Sequence, residues 1–222
     1  MSTADVSTVF FDLDETICDH SDSTADRLAD AFELAGVEPF FDVSDFRRWL
    51  PKVVAETELE LREKCFGGIA DEYGIDPARA TAVARAYEDP DPESVEFLPG
   101  AETALAALAD DYDLALVTNG GRETQEAKLA ALDIADYFET ATFAEPGRPV
   151  KPDPEPFDRT LTAMGASSAE TVHVGNSLRS DVAGAHAAGV GSVWLAGADP
   201  ATDHTPDHTI DSMHELRSPP WA

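Results

Sequence analysis

Apolar residues recur along this chain in two rhythms. Val9-Phe10-Phe11 opens it, and four later runs, Leu114-Ala115-Leu116-Val117, Thr140-Ala141-Thr142-Phe143, Thr171-Val172-His173-Val174 and Ser192-Val193-Trp194-Leu195, are short and bounded by turn residues. Such runs predict strands. Between them lie longer stretches with helical spacing, Ala101 to Ala109, Glu123 to Leu132, Pro154 to Met164 and Asp181 to Ala188. Strand and helix in alternation predict an α/β fold with a parallel sheet covered on both faces, whose ligands bind beyond the carboxyl ends of the strands.

The stretch between the first and second strands breaks this alternation. From Cys18 to Ser94 the chain reads as helices only, with periodic apolar positions at Leu28, Ala31, Phe32 and Ala35, at Phe46, Trp49, Leu50 and Val53, and at Leu59, Leu61, Cys65 and Phe66. It is too long for an ordinary crossover. Glu88-Asp89-Pro90-Asp91-Pro92 closes it as a linker, and Phe97-Leu98-Pro99-Gly100 restarts the sheet. The expected organisation is a core of residues 1–17 and 95–222 carrying a helical insert over 18–94.

Charge narrows the function classes. With 44 acidic against 15 basic residues the net charge is -29, yet 43% of the 222 residues are hydrophobic, so the chain is a folded, very acidic protein. The acids are spread along its whole length. That pattern favours a halophilic protein in a salt-rich cytoplasm over one acidic binding face. No basic stripe exists to neutralise nucleic-acid phosphates or an anionic membrane surface. No apolar run approaches the roughly 20 residues that span a bilayer, and no basic segment precedes an apolar one at the N-terminus, so a cytoplasmic location is expected. Cys18 and Cys65 form neither a Cys-x-x-Cys pair nor a disulfide framework.

Polar clusters follow the strand-like runs. Asp12 and Asp14 leave the end of the first strand on the same side, because side chains alternate along an extended chain. Two like charges so placed suit a cation with one nucleophile and one acid/base, or else a solvated acidic turn. Thr118-Asn119-Gly120 offers a hydroxyl and backbone N–H groups to a phosphoryl oxygen, and equally describes a helix-capping turn. Lys151, next to Pro152, suits a fixed positive charge over an anionic intermediate, or a surface lysine. In Gly175-Asn176-Ser177-Leu178-Arg179-Ser180-Asp181 an amide oxygen and a carboxylate can each ligate a hard cation, though Asp181 also suits a helix cap.

Taken in order, Asp-x-Asp-x-Thr, Thr-Asn-Gly, Lys-Pro and Gly-Asn-x-x-x-x-Asp resemble the four-motif signature of the haloacid dehalogenase superfamily. The resemblance spans essentially the whole chain, and Gln125, Lys128-Leu129 and Asp181-Val182-Ala183-Gly184-Ala185 add to it. It implies a Rossmann-like core with an all-helical cap inserted after the first motif. It implies Asp12 as the nucleophile that forms an aspartyl-phosphate, and Asp14 as the general acid and then base. Thr118, Asn119 and Gly120 would hold the phosphoryl oxygens, and Lys151 would neutralise the developing charge. Mg2+ would be held by Asp12, the Asp14 carbonyl, Asn176 and Asp181. The family's common pattern has aspartate at the position of Asn176, so the implied metal site is one charge poorer, with Asp181 carrying more of the burden.

Within this resemblance Asp14 favours phosphoryl transfer, since dehalogenases lack the second aspartate. A phosphatase acting on a small phosphorylated metabolite is the expected activity, as a monomer or homodimer. A mutase keeps both aspartates, and a 2-haloacid dehalogenase and a binding protein on the same fold are the alternatives. Substrate choice is expected in the cap and in Ile17-Cys18-Asp19-His20, where His20 either touches substrate or faces solvent.

Overall fold

A computed structural model of the protein describes residues 6–55, 58–87, 91–197 and 202–222. They divide into two compact units, the described residues of Met1–His20 with those of Pro92–Ala222, and those of Ser21–Asp91.

The second unit is helical: α1 (Thr24–Ala35), α2 (Val43–Trp49), α3 (Glu58–Tyr73) and α4 (Pro77–Ala86). Its starts follow local chemistry. Ser23 accepts from the Asp26 N–H ahead of α1, Asp42 and Asp45 cap α2 reciprocally, and Asp76 accepts from the Ala78 N–H where proline opens α4. The helical spacing turns Leu28, Ala31, Phe32, Phe46, Cys65 and Phe66 inward, while Leu59 stays exposed. Phe66 sits at the centre, with ring centroids 4.8 Å from Phe41 and 5.1 Å from Phe46.

The first unit is an α/β sandwich. Its elements are β1 (Thr8–Phe11), β2 (Cys18–His20), β3 (Val95–Phe97), α5 (Ala101–Ala109), β4 (Asp113–Gly121), α6 (Arg122–Ala131), β5 (Thr140–Ala144), α7 (Glu155–Met164), β6 (Thr171–Gly175), α8 (Ala183–Ala187), β7 (Gly191–Leu195) and β8 (His208–Ile210). Six strands form one parallel sheet in the order β5-β4-β1-β6-β7-β8. Period-two alternation sends Val9 and Phe11 to one face, against Leu105 and Leu108 of α5, and Phe10 to the other, against Phe157 and Leu161 of α7. This is a Rossmann-like α/β core. The chain passes from β1 outward to β4 and β5, then returns to β6 on the other side of β1. The carboxyl end of β1 therefore lies at the topological switch point, where such sheets bind ligands.

Three features differ from expectation. The segment from Cys18 is not helical throughout: β2 pairs antiparallel with β3, Cys18 opposite Phe97. Three residues with one apolar side chain carry no periodic signal. β8 is likewise a three-residue edge strand. The helix expected from Asp181 opens earlier, as a single π-helical turn over Leu178–Val182, with Ser177 and not Asp181 as its cap. Residues 88–90 of the expected linker lie outside the described residues.

Candidate active site

Asp12 extends β1 by one residue, its N–H donating to the Val174 carbonyl at 2.9 Å. The chain then turns tightly, and the Ile17 N–H returns to the Leu13 carbonyl at 2.9 Å. Within the turn Glu15 adopts φ 54°, a left-handed conformation that costs a residue other than glycine on the order of 1 kcal/mol and concentrates at functional sites.

Lys151 is the hub. Its Nζ donates to Asp12 Oδ1 at 2.8 Å, Asp181 Oδ1 at 2.7 Å and the Val117 carbonyl at 2.7 Å, which uses all three ammonium hydrogens. Asn119 holds the peptide of the same residue from both sides: its Oδ1 accepts from the Lys151 N–H at 2.8 Å and its Nδ2 donates to the Lys151 carbonyl at 2.9 Å. Thr118 Oγ1 accepts from the Gly120 N–H at 3.0 Å, so its own hydrogen is not used in that bond.

Asp14 faces another set of donors. Gln125 Nε2 reaches its Oδ2 at 3.0 Å and Lys128 Nζ its Oδ1 at 2.5 Å, both from α6. Asn176 donates from Nδ2 to Glu15 Oε2 at 3.1 Å, while its Oδ1 accepts from the Thr16 hydroxyl at 3.5 Å. Two glycines are spaces for these side chains. A Cβ on Gly175 would stand 2.3 Å from the Asp181 carboxyl carbon, and one on Gly120 would stand 2.0 Å from Gln125 Nε2.

Electrostatics separates the acids. Burial pushes the Asp12 carboxyl up to about 7, with Lys151 pulling it down and Asp181 adding to the rise. Burial works against the Asp181 charge too, but Lys151 and His173 outweigh it and hold this carboxyl well below the usual range. Burial alone would lower Lys151; Asp12 and Asp181 instead hold it above the ordinary lysine value. His173, buried in β6 with Nε2 3.0 Å from Asp181 Oδ1, is lowered by burial. Burial likewise pushes the Cys18 thiol up to about 12, which leaves it protonated and unreactive.

A cleft of about 370 Å³ opens at these strand ends, lined by Asp12, Asp14, Glu15, Thr118, Asn119, Gly120, Lys151, Asn176 and Ser180. The structure thus brings together Asp12, Asp14, Thr118, Asn119, Gly120, Lys151 and Asn176 from four separate segments. His20, at the end of β2 opposite Val95, is not among the lining residues. Neither is Asp181. Its Oδ1 accepts from Lys151 and His173, and its Oδ2 accepts from the Ser177 N–H at 2.9 Å, so protein donors engage both oxygens.

This arrangement decides what a cation meets. Among the described residues no three His, Cys, Asp or Glu side chains converge as a metal-binding group, because the Asp14 carboxylate turns to α6 and that of Asp181 to Lys151. The cleft still offers oxygen donors suited to a hard cation, the Asp12 carboxylate and the Asn176 amide oxygen, with the Asp14 carbonyl on the same loop. Their chemistry fits Mg2+, with few charges.

Sequence reasoning assigned no role to Glu15, Ser180 or His173, and noted Gln125 and Lys128 only as part of a resemblance. The available signals were one histidine inside an apolar strand and two long polar side chains three residues apart on α6.

The profile of the haloacid dehalogenase-like hydrolases matches residues 6–189. The chain belongs to this family. Pyrimidine 5'-nucleotidase YjjG of Escherichia coli is 26% identical over 216 residues, 94% of this chain and 95% of that one. The phosphoserine phosphatase of Thermus thermophilus is 33% identical over 160 residues, 70% of this chain and 63% of its own length. A crystal structure of HAD-hydrolase YfnB from Bacillus subtilis, bound to magnesium, shares the fold with a TM-score of 0.73 at 23% identity, covering 96% of this chain and 97% of that one.

Proposed function

We propose that the protein is a Mg2+-dependent phosphatase acting on a small phosphorylated metabolite. The observation that carries this reading is the hydrogen-bonded set in which Lys151 joins the Asp12 carboxylate to Asp181 at the floor of an oxygen-lined cleft. A buried lysine with a carboxylate on each side both neutralises the pair and orients Asp12 towards the cleft. Phosphatase relatives at 26% and 33% identity support the same reaction class.

In this reading Asp12 Oδ2, the oxygen not bonded to Lys151, attacks phosphorus. The phosphorus–oxygen ester bond breaks as an aspartyl-phosphate forms, and Asp14 gives a proton to the departing alkoxide. Asp14 then takes a proton from water, whose oxygen attacks the aspartyl-phosphate, releasing phosphate and restoring Asp12. Thr118 donates its hydroxyl hydrogen to a phosphoryl oxygen, and backbone N–H groups of the same turn add to it. Asp12, Asn176 and the Asp14 carbonyl would hold Mg2+, which supplies charge neutralisation between nucleophile and phosphoryl group. Asp181 acts through Lys151. Glu15 accepts from the Asn176 amide nitrogen, which leaves the amide oxygen as the atom of Asn176 that would meet the cation.

Phosphate release from a panel of phosphorylated metabolites, with Mg2+ and after chelation, tests this reading. Release from at least one alkyl phosphate that stops on chelation is expected; no release from any member defeats it.

A further inference from the structure

We propose that Lys128 and Gln125 are positioning residues that hold the Asp14 carboxyl in the orientation for proton transfer to the leaving group, an inference that rests on the phosphatase reading. The two lie three residues apart on one face of α6 and are almost fully buried, at 4% and 2% exposure. Burying an ammonium group is costly unless a carboxylate meets it. Lys128 meets Asp14 at 2.5 Å.

Gln125 shows the arrangement most clearly. Its Nε2 donates to Asp14 while its own Oε1 is buried with no hydrogen-bond partner, a cost of about 1–3 kcal/mol that the fold tolerates. Its path to Asp14 runs through the space where a Gly120 side chain would be. The glycine of the Thr118-Asn119-Gly120 turn is therefore required by Gln125 and not only by a ligand. Asp14 itself is on an open loop, with its side chain 44% exposed. A carboxylate there would sample several rotamers; donors on both oxygens restrict it to one.

The test uses the full chain and two aryl esters, p-nitrophenyl phosphate, whose leaving group departs without a proton, and phenyl phosphate, whose more basic leaving group depends more on one. The ratio of their kcat/KM values reports proton delivery in the bond-breaking step, which a merely structural loss leaves alone. Gln125→Leu removes the unpaired buried oxygen and so keeps the fold; Lys128→Met and Gly120→Ala are its companions. Each is expected to lower kcat/KM for phenyl phosphate by about tenfold more than for p-nitrophenyl phosphate. An unchanged ratio in folded Gln125→Leu overturns the proposal. If the wild-type protein hydrolyses neither ester nor any metabolite, the phosphatase reading fails first and this inference falls with it.

Discussion

Asp12 and Asp14 are the same residue type two positions apart on one strand end, and each meets a buried lysine, yet their surroundings are opposite. The Asp12 side chain is 12% exposed, and its lysine is shared with a second buried carboxylate. Asp14 is 44% exposed, with Lys128 and Gln125 on its inner side. On the Asp12 side a largely buried network of charges reaches the cleft only at Asp12; on the Asp14 side one carboxylate touches solvent and is held by two donors. In the proposed mechanism, environment and not residue type separates the nucleophile from the acid/base.

Removing the nucleophile tests the contrast most severely. Asp12→Asn is expected to lower kcat by several orders of magnitude while the unfolding temperature moves only a few degrees, because Lys151 and Asp181 remain a matched pair. A residual rate above about a tenth of wild type would place the nucleophile elsewhere. Replacing each lysine by methionine is the next strongest test. Lys151→Met leaves buried carboxylates without their cation and should cost about 3 kcal/mol or more in urea unfolding. Lys128→Met should cost clearly less, since Asp14 can take up water. Equal losses would erase the distinction.

Acid titration sharpens the nucleophile side. The folded protein holds the Asp12 proton up to about 7, so the nucleophilic form is lost as pH falls through that value. At low Mg2+ the rate should fall nearly tenfold per pH unit below it, and raising Mg2+, which favours the carboxylate, should move this limb to lower pH. For stability the sign is reversed. The folded state binds more protons at this site than the unfolded one between the ordinary carboxylate range and about 7, so this group's contribution declines as pH rises through that window. A rate flat from pH 5 to 8 at low Mg2+ contradicts the assignment.

The smallest effect concerns salt. With a net charge of -29, screening should raise the unfolding temperature by several degrees between dilute and molar monovalent salt. The difference between wild type and Lys151→Met should change little over that range, because a largely buried network is hardly screened. A flat or falling unfolding temperature removes the halophilic reading.

Much of this cleft was legible because three of its four contributing segments are polar interruptions just after an apolar run. Asp12, Thr118 and Asn176 could be read that way, as could the alternation of strand and helix. Strand order was not legible, since nothing local in Leu114–Val117 or Thr171–Val174 says which one lies on which side of β1. Partner choice was equally hidden. The spacing suggests Asn119 at a ligand and Asp181 at a cation or a helix cap, and does not show that the Asn119 side chain, at the cleft, also clamps the Lys151 peptide or that Asp181 turns inward to the Lys151 ammonium. These are contacts across about 30 residues, 32 for Asn119 and 30 for Asp181. Spacing along a chain cannot supply them. β2 and β3 escaped because strands of three residues leave too little alternation to detect.

The π-helical turn at Leu178–Val182 has its own consequence. Asp181 N–H and Val182 N–H both return to the Ser177 carbonyl, so one residue more than an α-helical turn needs is accommodated there. Taking one residue out would leave a smoother helix with its two flanks in nearly the same phase, because the wider turn sweeps about the same angle with one residue more. The residues inside the turn would be the ones re-aimed, Asp181 among them. The irregular turn therefore works as a local bulge that presents one carboxylate inward, and a chain shortened by one residue here would fold more regularly and lose the Asp181 contact to Lys151.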